Sequence, residues 1–223
     1  DESFAGYDRY VANELAMRFE RLPAFLRRRL FPLVAGLLPA SPNPNSFFWR
    51  LKRFSQVQAL SPELRNANWV THFDNEAKGL LYTDDFKKKT NGIDSYDIIL
   101  DRYAQAEATD FTDRTLYADV ALYLSETLLV KMDIASMANS LEARSPFLDH
   151  EIMEFAARIP SHLKLHNGKT KIILKKAFEK VLPQVITTRR KMGFGVPLGH
   201  WFRNELKKMA YDTLLSTRCI ERG

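Results

Sequence analysis

Asp1 and Glu2 are adjacent carboxylates standing just ahead of Gly6-Tyr7 and the start of a helix. Hard cations take carboxylate oxygens together with phosphate, so Asp1 could ligate a Mg2+ ion bound to nucleotide phosphates, with Glu2 beside it. The plainer account is that acids at a helix start complement its dipole. Lys169 and Lys171 follow the turn signal Asn167-Gly168 and are expected at and just inside the start of another helix. Cations there oppose the dipole. A bound anion would remove the conflict, because free N–H groups and two ammonium groups would converge on it; two solvated lysines are the alternative.

A third concentration of charge is Ser136 to Asp149, SMANSLEARSPFLD. It sets Glu142, Arg144 and Asp149 around the rigid Ser145-Pro146-Phe147 turn, between the apolar anchors Met137, Leu141, Phe147 and Leu148. Pro146 fixes its own φ and pushes Ser145 to an extended conformation, so a helix arriving from Leu116 should end here in an irregular loop. Loops of this kind often carry sites. The bland reading is that Glu142 and Arg144 simply pair with each other. Thr188 to Pro197 is a basic cluster with a glycine-flanked Phe194 that either approaches a ligand or plugs into the core. The histidines show no metal spacing, no Ser-His-Asp or Cys-His nucleophile set is evident, and no Gly-rich phosphate loop is present.

The elements that must position these groups read as helices. Apolar residues recur at helical spacing from Glu2 to Arg21, and Pro23 breaks the pattern. Further helices are expected over 24–38, 46–60, 62–73, 95–106, 112–131, 150–158, 169–181 and 197–215. Ser61 with Pro62, Thr83 and Thr112 are the expected caps. Thr83 to Lys89 suggests a short turn, Arg27-Arg28-Arg29 a solvated face, and Pro39 to Asn45 a proline-rich linker. No alternating strand pattern is convincing.

The totals set bounds. With 45% apolar residues and 15 Phe among 223 residues, a packed core is expected, in one large domain or two small ones. A net charge of +6 from 33 basic and 27 acidic residues is a mixed surface rather than a polybasic arm, so nucleic acid is not the expected partner. The single cysteine, Cys219, excludes an internal disulfide framework and suits a reducing compartment. No long apolar run points to a membrane. The chain opens on Asp1 without an initiating Met and closes just after a helix, which suggests a piece of something longer.

Four stretches together resemble the C-terminal synthetase domain of glutamine-dependent asparagine synthetases. Asp1 to Tyr10, DESFAGYDRY, is similar to the second half of that family's G-D-G-G-D-E-x-F-x-G-Y segment. Leu128 to Asp149 is similar to L-L-x-K-x-D-R-x-S-M-A-x-S-L-E-x-R-x-P-F-L-D. Asn167 to Pro183 is similar to G-x-x-K-x-x-L-R-x-A…L-P, and Ile186 to Trp201 to I-x-x-R-x-K-x-G-F-x-x-P-x-x-x-W. The match covers Asp1 to Tyr10 and Leu116 to about Leu206; Arg21 to Asp110 carries no such motif.

The resemblance implies a mostly helical C-terminal portion of an α/β ATP-pyrophosphatase-like synthetase domain, spanning residues 1–223. It implies adenylation of the aspartate side-chain carboxylate by ATP, release of pyrophosphate, and displacement of AMP by glutamine-derived ammonia. Asp1 matches the Mg2+-pyrophosphate aspartate, with Glu2 and Lys169 beside the cofactor, and Lys171 matches the lysine that stabilises developing negative charge. Glu126 lies near an acid that aids substrate deprotonation. Glu142 and Arg144 match a loop taken as architectural. The implied partners are small molecules: ATP, aspartate or a similar carboxylic acid, and glutamine through a glutaminase domain upstream. The ATP-binding loop would also lie upstream, so this piece alone would be inactive. A cytoplasmic location and a homodimer are compatible with this. Ala5 stands where Gly is common, Ile134 and Lys175 replace arginines, and Ser125-Glu126-Thr127 replaces Pro-Asp-Asp. A β-lactam synthetase-like enzyme on another acid, or a helical module that docks RNA or protein, are the alternatives.

Overall fold

The computed structural model describes residues 1–38, 46–58, 60–71, 73–90, 93–189 and 196–221. The linker expected over Pro39 to Asn45, the Asn91-Gly92 turn and the basic, glycine-flanked stretch from Arg190 to Gly195 lie outside them. The chain divides into two compact units, Asp1–Thr187 and Thr188–Gly223.

In the first unit α1 (Asp8–Phe19) buries Tyr10, Asn13 and Ala16, a spacing of three that keeps them on one face. This face meets α4 (Pro62–Val70) and a helix that begins with α8 (Phe111–Ala118). α7 (Ser95–Gln105) lies between α4 and α8. Asn13 donates to Asn66 at 2.9 Å, and the fully buried Arg65 side chain is neutralised by Glu20 at 2.8 Å. Ser61 and Thr83 cap their helices as their types dictate, each accepting from the backbone N–H three residues on. The expected Thr112 cap is displaced: Asp110 accepts from the N–H groups of both Thr112 and Asp113, so α8 starts two residues earlier.

From Phe111 the helix runs without a break through a π-helical stretch, Asp119–Leu129, into α9 (Val130–Met137). Ser140, with φ 56°, ends it in a left-handed residue, and Leu141 N–H reaches back to Ser136 O at 3.0 Å. After the last two residues of α9, Ser136 and Met137, the stretch to Asp149 is the expected irregular loop, containing one 3-10 turn at Pro146–Leu148. Its expected apolar anchors are not buried among the described residues: Met137, Leu141, Phe147 and Leu148 are 37–63% exposed. Asp149 then caps α10 (His150–Arg158) through the N–H groups of Glu151 and Ile152.

The helix expected from Lys169 starts later. After α11 (Ser161–Lys164), two-residue strands β1 (Leu165–His166) and β2 (Lys169–Thr170) form an antiparallel hairpin, with Leu165 opposite Thr170 and His166 opposite Lys169. α12 (Ile172–Phe178) follows. Strands this short leave no period-two pattern to read. In the second unit the single helix expected over 197–215 is instead two, α14 (Leu198–Trp201) and α15 (Lys207–Leu214), and a further short helix, α16 (Thr217–Glu221), follows them. The Asn204 amide donates to His200 O at 2.9 Å, offering the backbone a partner other than a continuing helix.

Candidate active site

The Asp1–Gly6 turn is fastened on two sides. Phe4 packs with Ala156 of α10, with Ile159 just after it, and with Ile173 and Leu174 of α12. Its neighbour Ala5 enters a different cluster with Tyr10, Leu116 and Leu165. Gly6 N–H closes the turn on Asp1 O at 2.8 Å. Ala5 adopts φ 52°, the left-handed region in which glycine is at ease, which is the physical reason a glycine suits this position in the family pattern.

Packing Ile173 and Leu174 against Phe4 brings the start of α12 to the same place. Lys171 is the N-cap residue of α12 rather than part of it, with φ 54° and ψ 35°. A left-handed conformation costs a non-glycine residue about 1–3 kcal/mol and persists where its surroundings dictate it; such residues gather at functional sites. The Lys171 ammonium forms an ion pair with the Asp1 carboxylate. Gly6 leaves room for that pair. Its φ is not positive, so space alone demands glycine: a Cβ there would overlap the Asp1 carboxylate and the Lys171 side chain.

The charges here are short of solvent. Burial lowers the Lys171 ammonium below the ordinary lysine value, with the Glu2 carboxylate pulling the other way. Glu2 is only 5% exposed, and Tyr7 Oη donates to its Oε1 at 2.5 Å. Burial raises the Glu2 carboxyl, but the Tyr7 hydrogen bond and then the charge of the Asp1 amino group outweigh it and leave it below the usual range. Burial and then the bond to Glu2 push the Tyr7 phenol well above its ordinary value. Glu2 thus faces a tyrosine inside the fold, while the Asp1 carboxylate, with a side chain 20% exposed, is the acid that a ligand can reach.

The other expected residues are not gathered with this pair. Lys169 is exposed on β2. Glu126 is exposed in the π-helical stretch, where its hydrogen-bond partner is Ser125 Oγ at 3.4 Å. Arg144 Nε meets Glu142 Oε1 at 2.8 Å, with side chains 84% and 65% exposed, so these two pair with each other as the bland reading has it. Exposed pairs of this kind contribute at most about 1 kcal/mol. Arg144→Ala should therefore shift the thermal midpoint by no more than about 4 °C, and a larger drop would show the pair to be packed against something else.

One cluster has no counterpart among the sequence expectations. Arg9 lies over the rings of Tyr7, Tyr10 and Tyr123 at 4.3, 5.2 and 5.0 Å and pairs with Asp119 at 2.8 Å. Tyr10 Oη donates to the same Asp119 oxygen at 2.6 Å. Burial raises the Asp119 carboxyl above its usual range against the attraction of Arg9. Arg9 and Asp119 are 110 positions apart in the sequence, so no local signal joins them; the only hint is a charge at each of two otherwise core-facing helix positions. The cluster lies directly beneath Tyr7 and supports the Glu2 side of the site.

An ion pair of a carboxylate and a lysine that both keep part of their side chain exposed can hold a cation and a polyanion together. The asparagine synthase family model matches residues 1–223. Asparagine synthetase [glutamine-hydrolyzing] 1 of Bacillus subtilis is 31% identical over 209 residues, covering 93% of this chain and 31% of that protein. A putative asparagine synthetase [glutamine-hydrolyzing] of Mycobacterium bovis is 39% identical over 123 residues, 55% of this chain and 19% of that protein. Asparagine synthetase B [glutamine-hydrolyzing] of Escherichia coli is 32% identical over 105 residues, 46% of this chain and 19% of that protein. No solved structure matches the chain. The chain belongs to the asparagine synthase family, and it is a mostly helical part of that family's synthetase domain. It spans 31% of the length of the Bacillus subtilis relative. Among the described residues, no helix is long and apolar enough to cross a membrane.

Proposed function

We propose that the full-length protein makes asparagine: an oxygen of the aspartate side-chain carboxylate attacks the α-phosphorus of ATP, pyrophosphate leaves, and glutamine-derived ammonia then attacks the acyl carbon and expels AMP. The observation that carries this is the meeting of Asp1 with Lys171 across Gly6. A carboxylate is a poor electrophile until one oxygen becomes part of a good leaving group. The protein must therefore neutralise charge as it builds on pyrophosphate.

Lys171 supplies that neutralisation. In the structure its ammonium is held by Asp1, and the lowered pKa reflects solvation that burial has taken away. A phosphate oxygen arriving at Lys171 replaces that partner and frees the Asp1 carboxylate. One reachable carboxylate suits Mg2+, which is held by one or two carboxylates with substrate phosphates, and no cluster of three candidate metal ligands stands among the described residues. Mg2+ bound at Asp1 would draw electron density from the phosphates. Glu2 holds Tyr7 and biases Lys171 toward its charged form; Lys169, exposed on β2, is proposed as a further cation for the anion, and Glu126 is the acid proposed to aid substrate deprotonation. The ATP-binding loop and the glutaminase are proposed to lie in the remainder of the protein, and the whole to work in the cytoplasm.

The test is product analysis of the full-length protein supplied with ATP, Mg2+, aspartate and glutamine. Asparagine, AMP and pyrophosphate in equal amounts are expected. Formation of AMP with another carboxylic acid but not with aspartate would point to a related amidotransferase instead.

A further inference from the structure

Lys171 stands three residues beyond the turn of the β1–β2 hairpin, and both backbone amides of that turn are held from outside by one side chain. Asn167 and Gly168 have φ 51° and 74°, two consecutive left-handed residues of the kind a two-residue hairpin turn requires. Their backbone N–H groups both donate to Glu14 of α1: Asn167 N–H to Oε1 and Gly168 N–H to Oε2, each at 2.9 Å. Arg18, one turn further along α1, donates to Glu14 Oε1 at 2.8 Å and to Asn167 Oδ1 at 2.6 Å. Glu14 with Arg18 looks in sequence like an ordinary i, i+4 pair. The two turn amides are what that description leaves out.

The hairpin is also attached by packing. Leu165 is 5% exposed in the cluster that holds Ala5 and Tyr10. A Cβ on Gly168 would stand 3.8 Å from Val11 Cγ1, so the turn lies against α1. The chain leading into α1 is the Asp1–Gly6 turn itself. Glu14 therefore ties the segment that ends in Lys171 to the element continuous with Asp1.

We propose that Glu14 is a positioning residue for Lys171, setting the strained backbone from which its ammonium reaches the polyanion, without touching substrate itself. The proposal rests on the adenylation reading above. Releasing the turn amides lets the hairpin move and lets Lys171 relax out of its left-handed conformation. A displacement of about 1 Å at a reacting group can cost on the order of 100-fold in rate.

The experiment is a double-mutant cycle in the full-length protein, measuring aspartate-dependent ATP–pyrophosphate exchange for wild type, Glu14→Ala, Lys171→Ala and the double variant. Glu14→Ala should lower the exchange rate about 10- to 100-fold with little change in the KM for ATP or aspartate. In the Lys171→Ala background the same change should do almost nothing, because Glu14 acts only through Lys171. An equal loss in both backgrounds, or no loss in the first, overturns the proposal. Glu14→Gln, which keeps the shape and one acceptor oxygen, carries the comparison if the alanine variant fails to fold. Hydrogen exchange over 165–171 reads the clamp without any substrate. It should quicken about tenfold or more in Glu14→Ala, and unchanged exchange sinks the proposal. If wild type shows no pyrophosphate exchange, the adenylation reading fails by itself, and the hydrogen-exchange comparison still decides whether Glu14 holds the segment.

Discussion

Gly6→Ala should remove most of the activity of the full-length protein while leaving its fold nearly intact. The new methyl would overlap the Asp1 carboxylate and the Lys171 side chain. Neither obstacle is backbone. The Lys171 atom in the way is near the end of a flexible chain, so relief comes from swinging it aside rather than from moving α1 or the hairpin. The stability cost should accordingly sit at the low end of the range for overpacking, about 1 kcal/mol, or some 2–4 °C in thermal midpoint. The functional cost is of another size, because the atoms that give way are the ones proposed to hold metal and phosphate. Displacing both by an ångström or more should lower the exchange rate on the order of 100-fold. Kinetics beside a melting curve checks this. A variant that retains full activity would mean that the Asp1–Lys171 pair has no part in the chemistry.

Asp119→Ala should do the reverse and destabilise the fold itself. The substitution leaves the Arg9 guanidinium, 16% exposed in its side chain, and the buried Tyr10 hydroxyl facing a space with no acceptor. Removing one member of a buried ion pair costs about 3–5 kcal/mol, because the other charge is left uncompensated. For a cooperative unit of about 200 residues that corresponds to a drop of about 10 °C or more in the thermal midpoint. Denaturation by heat or urea reads it directly. A loss below about 1 kcal/mol would show that Arg9 finds its compensation in the three tyrosine rings and does not depend on Asp119.

These two substitutions mark where the sequence was and was not informative. Local rules suffice wherever one residue's chemistry decides the structure nearby: Ser61 and Pro62 start α4, Thr83 caps its short helix, and Pro146 keeps the loop after α9 from being helical. The pairing of Glu142 with Arg144, two positions apart, was legible for the same reason. The convergence of Asp1 and Lys171 was not: it depends on Phe4 meeting Ile173 and Leu174, and only the family resemblance placed both residues at one site. The hairpin escaped because two residues per strand show no alternation, so Lys169 and Lys171 were assigned to a helix that begins at Ile172. Glu14 and Asp119 escaped because each occupies a helix position where a carboxylate is ordinary, and their partners lie more than a hundred residues away. The apolar residues of the Ser136–Asp149 loop have the types of anchors yet stay exposed, because hydrophobicity alone does not say what will cover a side chain.

The measurement that bears most directly on the account is ATP–pyrophosphate exchange by the full-length protein with and without aspartate, wild type beside Lys171→Ala. Exchange that requires aspartate and falls on the order of 100- to 1,000-fold in the variant is the result expected of a cation facing the charge that builds on pyrophosphate. Exchange that proceeds equally well without Lys171 would contradict the placing of the phosphates at the Asp1–Lys171 pair.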